Sequence, residues 1–143
     1  MLIDQISIFV SNQHGRLTDI TSVLWDAGID IRALSLADTT EFGILRLIVD
    51  DPNGAEEALK GRNVIVRKTK VIAARLDDTP GALNKVLKIL TDVNISIEYA
   101  YAFITPKDDD ACVILRVEDN ERAIKTLTEN GVKLLAPEDI YKL

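Results

Sequence analysis

The sequence predicts an α+β chain of two βαββαβ repeats whose antiparallel sheets are joined or paired side by side. Three observations carry that reading. The stretches Ser11-Asn-Gln-His-Gly-Arg-Leu17 and Asp77-Asp-Thr-Pro-Gly-Ala-Leu83 superpose at an offset of 66 residues, Gly15 on Gly81 and Leu17 on Leu83. The same offset aligns Leu24 with Leu90, Asp26 with Asp92, Ile29 with Ile95 and Ile31 with Ile97, giving six identities in 21 positions. In both halves the apolar period then switches in the same order, from alternating to helical and back.

Leu2 to Val10 alternates, with Leu2, Ile6, Ile8 and Val10 on one face, and reads as a strand. From Leu17 the period becomes helical through Ile20, Leu24 and Ala27, and Gly28 ends the helix. Ile29, Ile31 and Ala33 resume a strand running to about Thr39. Thr39-Thr40-Glu41 is a hairpin turn, and Phe42 to Val49 a third strand. Asp50-Asp51-Pro52 starts a short helix buried through Ala55, Ala58 and Leu59; Gly61 closes it and Val64 begins a fourth strand. No glycine or proline lies between Val64 and Leu76, so this strand runs on into the first strand of the second repeat without a flexible linker. Domains are expected at 1–70 and 71–143.

The second repeat follows suit. Ile72, Ala74 and Leu76 form a strand, and Leu83, Val86, Leu87, Leu90 and Val93 a helix face. Ile95, Ile97, Tyr99, Tyr101 and Phe103 alternate along the next strand. A turn over Pro106 to Asp110 precedes a strand over Ala111 to Val117. A helix then covers Asn120 to Asn130, Gly131 caps it, and a last strand spans Val132 to Leu135. Pro137 to Leu143 reads as a final helical turn.

The repeated turn has its own chemistry. Glycine lets the chain leave a strand sharply, and proline at position 80 suits a first helical turn. The free N–H groups of the following helix then point outward at the positive end of its dipole, an arrangement that binds carboxylate or phosphate. The plainer reading is that Asn12, Asp77 and Asp78 cap their helices.

Composition narrows the function. The chain has 143 residues, 47% hydrophobic and 28% charged, with net charge −6. That charge divides as −2 over residues 1–70 and −4 over 71–143, so neither half has the basic surface nucleic acid requires. One cysteine, Cys112, excludes an internal disulfide and suits a reducing compartment. No signal peptide or membrane-length apolar run is visible, and the expected location is the cytoplasm.

With these residues in view, the sequence resembles a tandem pair of ACT domains, ferredoxin-like modules that bind amino acids and regulate metabolism. The resemblance rests on Asp-Asp-Thr-Pro-Gly-Ala-Leu83 after a strand, the apolar helix, and Val-Asn-Ile-Ser-Ile97 leading into the next strand. Ser-Asn-Gln-His-Gly-Arg-Leu17 and Ala-Gly-Ile-Asp-Ile31 repeat it. It implies that strand two of a module is a sheet edge pairing with its counterpart in a neighbouring module, with ligand at that seam against the glycine turn. An amino-acid carboxylate suits the amides of Gly15, Arg16 and Leu17, or of Gly81, Ala82 and Leu83. Asn12, Asp78, Asp30 or Ser96 supply acceptors for the ammonium. Ile31, Ile97, Tyr99 and Tyr101 set side-chain preference. His14 stands where the family carries proline, which loosens that turn or adds a polar contact. Asp77 and Asp78 resist a further negative charge at turn two, which favours the Asn12–Leu17 turn opposite the Ser96–Tyr101 strand.

Other chemistries find less support. No nucleophile stands in a motif with His14, and no metal cluster or cofactor loop appears, so the expectation is a non-enzyme without cofactor. Asp108-Asp109-Asp110 lacks the spacing and glycine of a calcium loop and reads as a solvated hairpin tip. Cys112 reads as a small buried apolar residue. Asp50-Asp51 and Glu118-Asp119 read as helix caps, and an exposed Trp25 implies an interface. RNA-recognition modules share the element order, but their stacking aromatics lie on strands one and three, where this chain has none; Tyr99, Tyr101 and Phe103 are better explained by packing under a helix or lining a ligand seam. The expected protein is an amino-acid-binding regulator, a homo-oligomer (a dimer) able to modulate a partner enzyme. The rival is an assembly module whose seams only join subunits.

Overall fold

The computed structural model of the chain describes residues 1–38, 42–104 and 110–142. The element order is β1 (Ile3–Ser11), α1 (Arg16–Asp26), β2 (Ile31–Asp38), β3 (Phe42–Val49), α2 (Pro52–Leu59), β4 (Ile65–Asp77), α3 (Ala82–Thr91), β5 (Ile97–Ile104), β6 (Asp110–Val117), α4 (Asn120–Glu129) and α5 (Pro137–Tyr141). The expected hairpin turns at 39–41 and 106–110 lie outside the described residues, apart from Asp110, which opens β6. Two compact units emerge, Asp4–Thr69 and Lys70–Tyr141, the latter with Met1–Ile3. β4 passes from one into the other as a single 13-residue strand, as the unbroken Val64–Leu76 run implied.

In the first unit the strand order is β2-β3-β1-β4, with antiparallel pairs β1·β3 and β2·β3. Ile6, Ile8, Leu45, Leu47 and Val49 from the sheet meet Ile20 and Leu24 of α1 and Ala55 and Leu59 of α2 in one core. The helical spacing of those four residues is what turns them to the sheet. Asp51 caps α2 by accepting from the Gly54 amide at 3.0 Å, and Pro52 occupies the first helical position. Asp50 is not a second cap: its Oδ1 accepts from the Asp30 amide at 2.9 Å.

The second unit repeats the plan with β5-β6-β4 and a core of Ile72, Ala74, Val86, Leu90, Val113, Leu115 and Leu127. Asp119 caps α4 through the Arg122 amide, whereas the Glu118 amide donates to the Ser96 carbonyl. The expected last strand, Val132 to Leu135, shrinks to a bridge between Ala74 and Leu134, with Arg75 N donating to Lys133 O and Leu135 N to Ala73 O. The chain turns away at Ala136, whose amide donates to Asp139 as α5 begins, leaving no length for a full ladder.

One expectation about faces is corrected. Tyr99 and Tyr101 do not pack under a helix. They stand opposite Arg116 and Ile114, on the face away from the core built by Val113 and Leu115. A bulge between Ile97 and Tyr99 causes this: the extra residue flips the alternation, so Ile97 points to the helices and the tyrosines away. The same bulge separates Ile31 from Ala33 in β2.

Candidate functional site

The two glycine turns are built alike. Gly15 (φ 82°, ψ −2°) and Gly81 (φ 88°, ψ −10°) occupy the N-cap positions of α1 and α3 in the left-handed region, which glycine reaches without a steric penalty. No side chain caps either helix. Asn12, Asp77 and Asp78 are therefore not caps, which overturns the plainer reading of these turns. Arg16 N donates to Gln13 O and Ala82 N to Thr79 O, while the amides of Leu17, Thr18, Leu83 and Asn84 find no partner among the described residues. Leu17 and Leu83 are each 44% exposed, so both turns lie at the surface.

Turn one is framed by polar contacts that sequence spacing does not reveal. Asn12 Nδ2 donates to Asp38 Oδ1 at 2.8 Å, joining the turn to the far end of β2 across 26 residues. Gly43 makes room for this: a Cβ there would lie 3.2 Å from Val10, 3.3 Å from Leu36 and 3.5 Å from Asn12 Oδ1. Arg16 Nη2 donates to the Asn63 carbonyl at 3.4 Å, and its buried Nε has no hydrogen-bond partner among the described residues. A held cation and two open amides thus lie in one turn. Asp38 and Gly43 were missed because only strand pairing brings them to Asn12.

Asn12, His14, Gly15, Arg16 and Leu17 come together in turn one, and Asp78, Gly81, Ala82 and Leu83 in turn two. Asp30 and Ile31 lie at the opposite end of the first unit, separated from turn one by the 11 residues of α1, roughly 16 Å of helix. Asp30 is exposed and pairs with Arg32 at 3.0 Å. Ser96 and Ile97 hold the same place beyond α3 in the second unit. Ile31 and Ile97 pack against the two cores, so they share no face with Tyr99 or Tyr101. A groove of about 380 Å³ runs along α1, lined by Arg16, Asp19, Val23, Leu59, Arg62 and Val64. One of about 440 Å³ borders α3 and includes Thr79, Ala82, Lys85 and Asn130.

Cys112 is fully buried, and burial pushes its thiol up to about 12, partly offset by the Arg75 guanidinium. No cluster of metal-ligating side chains and no helix long and apolar enough to cross a membrane occurs among the described residues.

Two α+β units that each open a helix at a glycine turn fit the plan of a small-molecule-binding regulatory module, the class to which the family match assigns the chain. The chain belongs to the ACT domain pair family, whose model matches residues 1–143. Its structure is similar to that of protein BT0572 from Bacteroides thetaiotaomicron, at 42% identity over 100% of this chain and 98% of that one, with a TM-score of 0.93. The fold also resembles the regulatory subunit of aspartate kinase from Thermus thermophilus at 16% identity, 90% and 93% coverage and TM-score 0.64. The same subunit from Thermus flavus gives 15% identity, 90% and 93% coverage and 0.60. Among curated proteins nothing matches.

Proposed function

We propose that the protein binds a free amino acid at its glycine turns and so regulates a metabolic enzyme or pathway. The observation that carries this reading is the pair of uncapped helix N-termini at Gly15 and Gly81, each leaving two amides without a partner among the described residues. The carboxylate takes the amides of Leu17 and Thr18, with Arg16 beside it, while Asn12 and Asp38 offer oxygens to the ammonium. Turn two has Asp78 in place of Asn12 and no arginine at the position of Arg16, so turn one is the stronger site. A neighbouring module supplies its strand-two start, Ser96 to Tyr99 toward turn one or Asp30 and Ile31 toward turn two. The aspartate kinase regulatory subunits support a regulatory role by fold alone.

A thermal-shift screen of the common amino acids tests this. Ligand at a hundred times its Kd stabilises the fold by ~2.7 kcal/mol. One amino acid should raise Tm by several degrees; no shift with any of them would leave only the assembly-module reading.

A further inference from the structure

The last strand of the second unit is reduced to a single bridge, and a slot stands where the rest of it would lie. In an antiparallel ladder successive residues turn their N–H and C=O groups to opposite edges. Ala73 and Arg75 meet the returning chain on one such edge. Leu135 N donates to Ala73 O and Arg75 N to Lys133 O, each at 2.8 Å, on either side of the Ala74–Leu134 bridge. The next rung does not form: Arg75 O, Asp77 N and Lys133 N find no partner among the described residues. The cause lies at the end of α4, where Val132 N donates back to Leu127 O past Gly131 (φ 78°) and directs the chain off the edge. In the first unit the corresponding place is filled by β4, a full strand beside β1.

The slot is the groove of about 440 Å³ that borders α3. Leu76, Val86, Ile89 and Val132 give it an apolar wall. Its cations are Arg75, Lys85 and Lys133, and its acid is Asp77. Arg75 is engaged by Asp110 at 3.5 Å, whereas Lys85 and Lys133 form no ion pair among the described residues. Lys133 stands at the end that the bridge closes. Asp77 stands at the other end, where residues 77–81 are exposed as β4 gives way to turn two. A closed, positive end and an open mouth select the end of a chain over its middle, and a carboxylate over an ammonium.

We propose that this slot binds the free carboxyl terminus of a partner polypeptide, laid antiparallel along the β4 edge. Strand addition of this kind draws affinity from main-chain hydrogen bonds and selectivity from side-chain pockets. The ladder sets the register. The last residue donates its N–H to Arg75 O, and the third from the end accepts from Asp77 N through its carbonyl. The terminal carboxylate lies between Lys85 and Lys133. The penultimate residue falls opposite Leu76, so its side chain meets the apolar wall. The inference goes beyond amino-acid binding and does not depend on it.

Amide-resolved NMR of the full-length chain tests this with the acetylated tripeptide Ac-Ala-Leu-Ala. It is offered as the free acid, as its C-terminal amide, and as the last three residues of a carrier protein. The blocked N-terminus removes the ammonium that an amino acid would bring to the glycine turns. The free acid should bind saturably and move the Asp77, Lys85 and Lys133 resonances, leaving Leu17 and Thr18 fixed, and the carrier should bind as the tripeptide does. The amide should bind at least about tenfold more weakly, as should the free acid to Lys85→Ala or Lys133→Ala, with folding checked by circular dichroism. The acid–amide comparison uses the wild-type chain, so it stands even if a variant unfolds. Equal binding of acid and amide, shifts at turn one in place of Asp77 and Lys133, unchanged binding in both lysine variants, or no binding of the free acid at millimolar concentration would overturn the proposal. Binding of the tripeptide without the carrier would overturn a polypeptide as its source.

Discussion

Replacing Gly15 with valine separates the cost of a left-handed backbone from the loss of a binding surface. At φ 82° a β-branched residue is strained, at roughly 1–3 kcal/mol. A Cβ built on Gly15 meets no atom within 4 Å, so the cost lies in the backbone and not in a collision. Gly28 supplies a matched control: its φ is +71° and its Cβ site is also open, but it lies beyond the far end of α1. Both variants should remain folded, because a domain holds ~5–15 kcal/mol in reserve. Each kcal/mol lowers Tm by roughly 2–4 °C, so both should melt a few degrees below wild type. Differential scanning fluorimetry with and without the amino acid found by screening then reads the difference. Gly28→Val should keep the ligand-induced rise of about 5–10 °C that ~2.7 kcal/mol represents, and Gly15→Val should lose most of it. Equal ligand shifts in the two variants would refute the assignment of carboxylate binding to turn one.

Asp38→Ala should weaken amino-acid binding about 10–100-fold by calorimetry, since charge-assisted hydrogen bonds are worth roughly 1.5–3 kcal/mol, with little change in Tm from so exposed a residue. Gly54→Ala should destabilise the protein in urea melts despite alanine's better helix propensity, because its Cβ would collide with the Asp51 carboxylate that caps α2. Cys112 should react with a thiol reagent at pH 8 only as fast as the protein unfolds, since burial keeps it protonated. Its folded value of about 12 lies above the ordinary 9.0, so the unfolded chain gives up the proton first. Stability should therefore fall as pH climbs past 9, by up to ~1.4 kcal/mol per pH unit, and Cys112→Ala should remove that slope.

The repeat was legible because its marks are local. Gly15 and Gly81 sit at turns that only glycine adopts freely, and Leu24 and Leu90 recur at fixed helical phase, so the element order follows from neighbours in sequence. What escaped depends on partners far along the chain. The bulges at Ile31/Ala33 and Ile97/Tyr99 arise from pairing with β3 and β6, and no alternation within one strand announces them. Asn12 suits a helix cap by type, yet its side chain turns to Asp38, a partner that the antiparallel ladder delivers. Val132 to Leu135 has the apolar residues of a strand but not the length, because the chain folds back at Ala136.

The account turns on four backbone donors, and amide-resolved NMR observes them one by one. During titration with each common amino acid, the account predicts that one ligand moves the Leu17 and Thr18 resonances, with weaker shifts at Leu83 and Asn84, while the amides of Gly28 and Ile29 stay fixed. If every amino acid leaves the Leu17 and Thr18 amides unmoved, these turns hold no ligand of this class and the central claim is wrong.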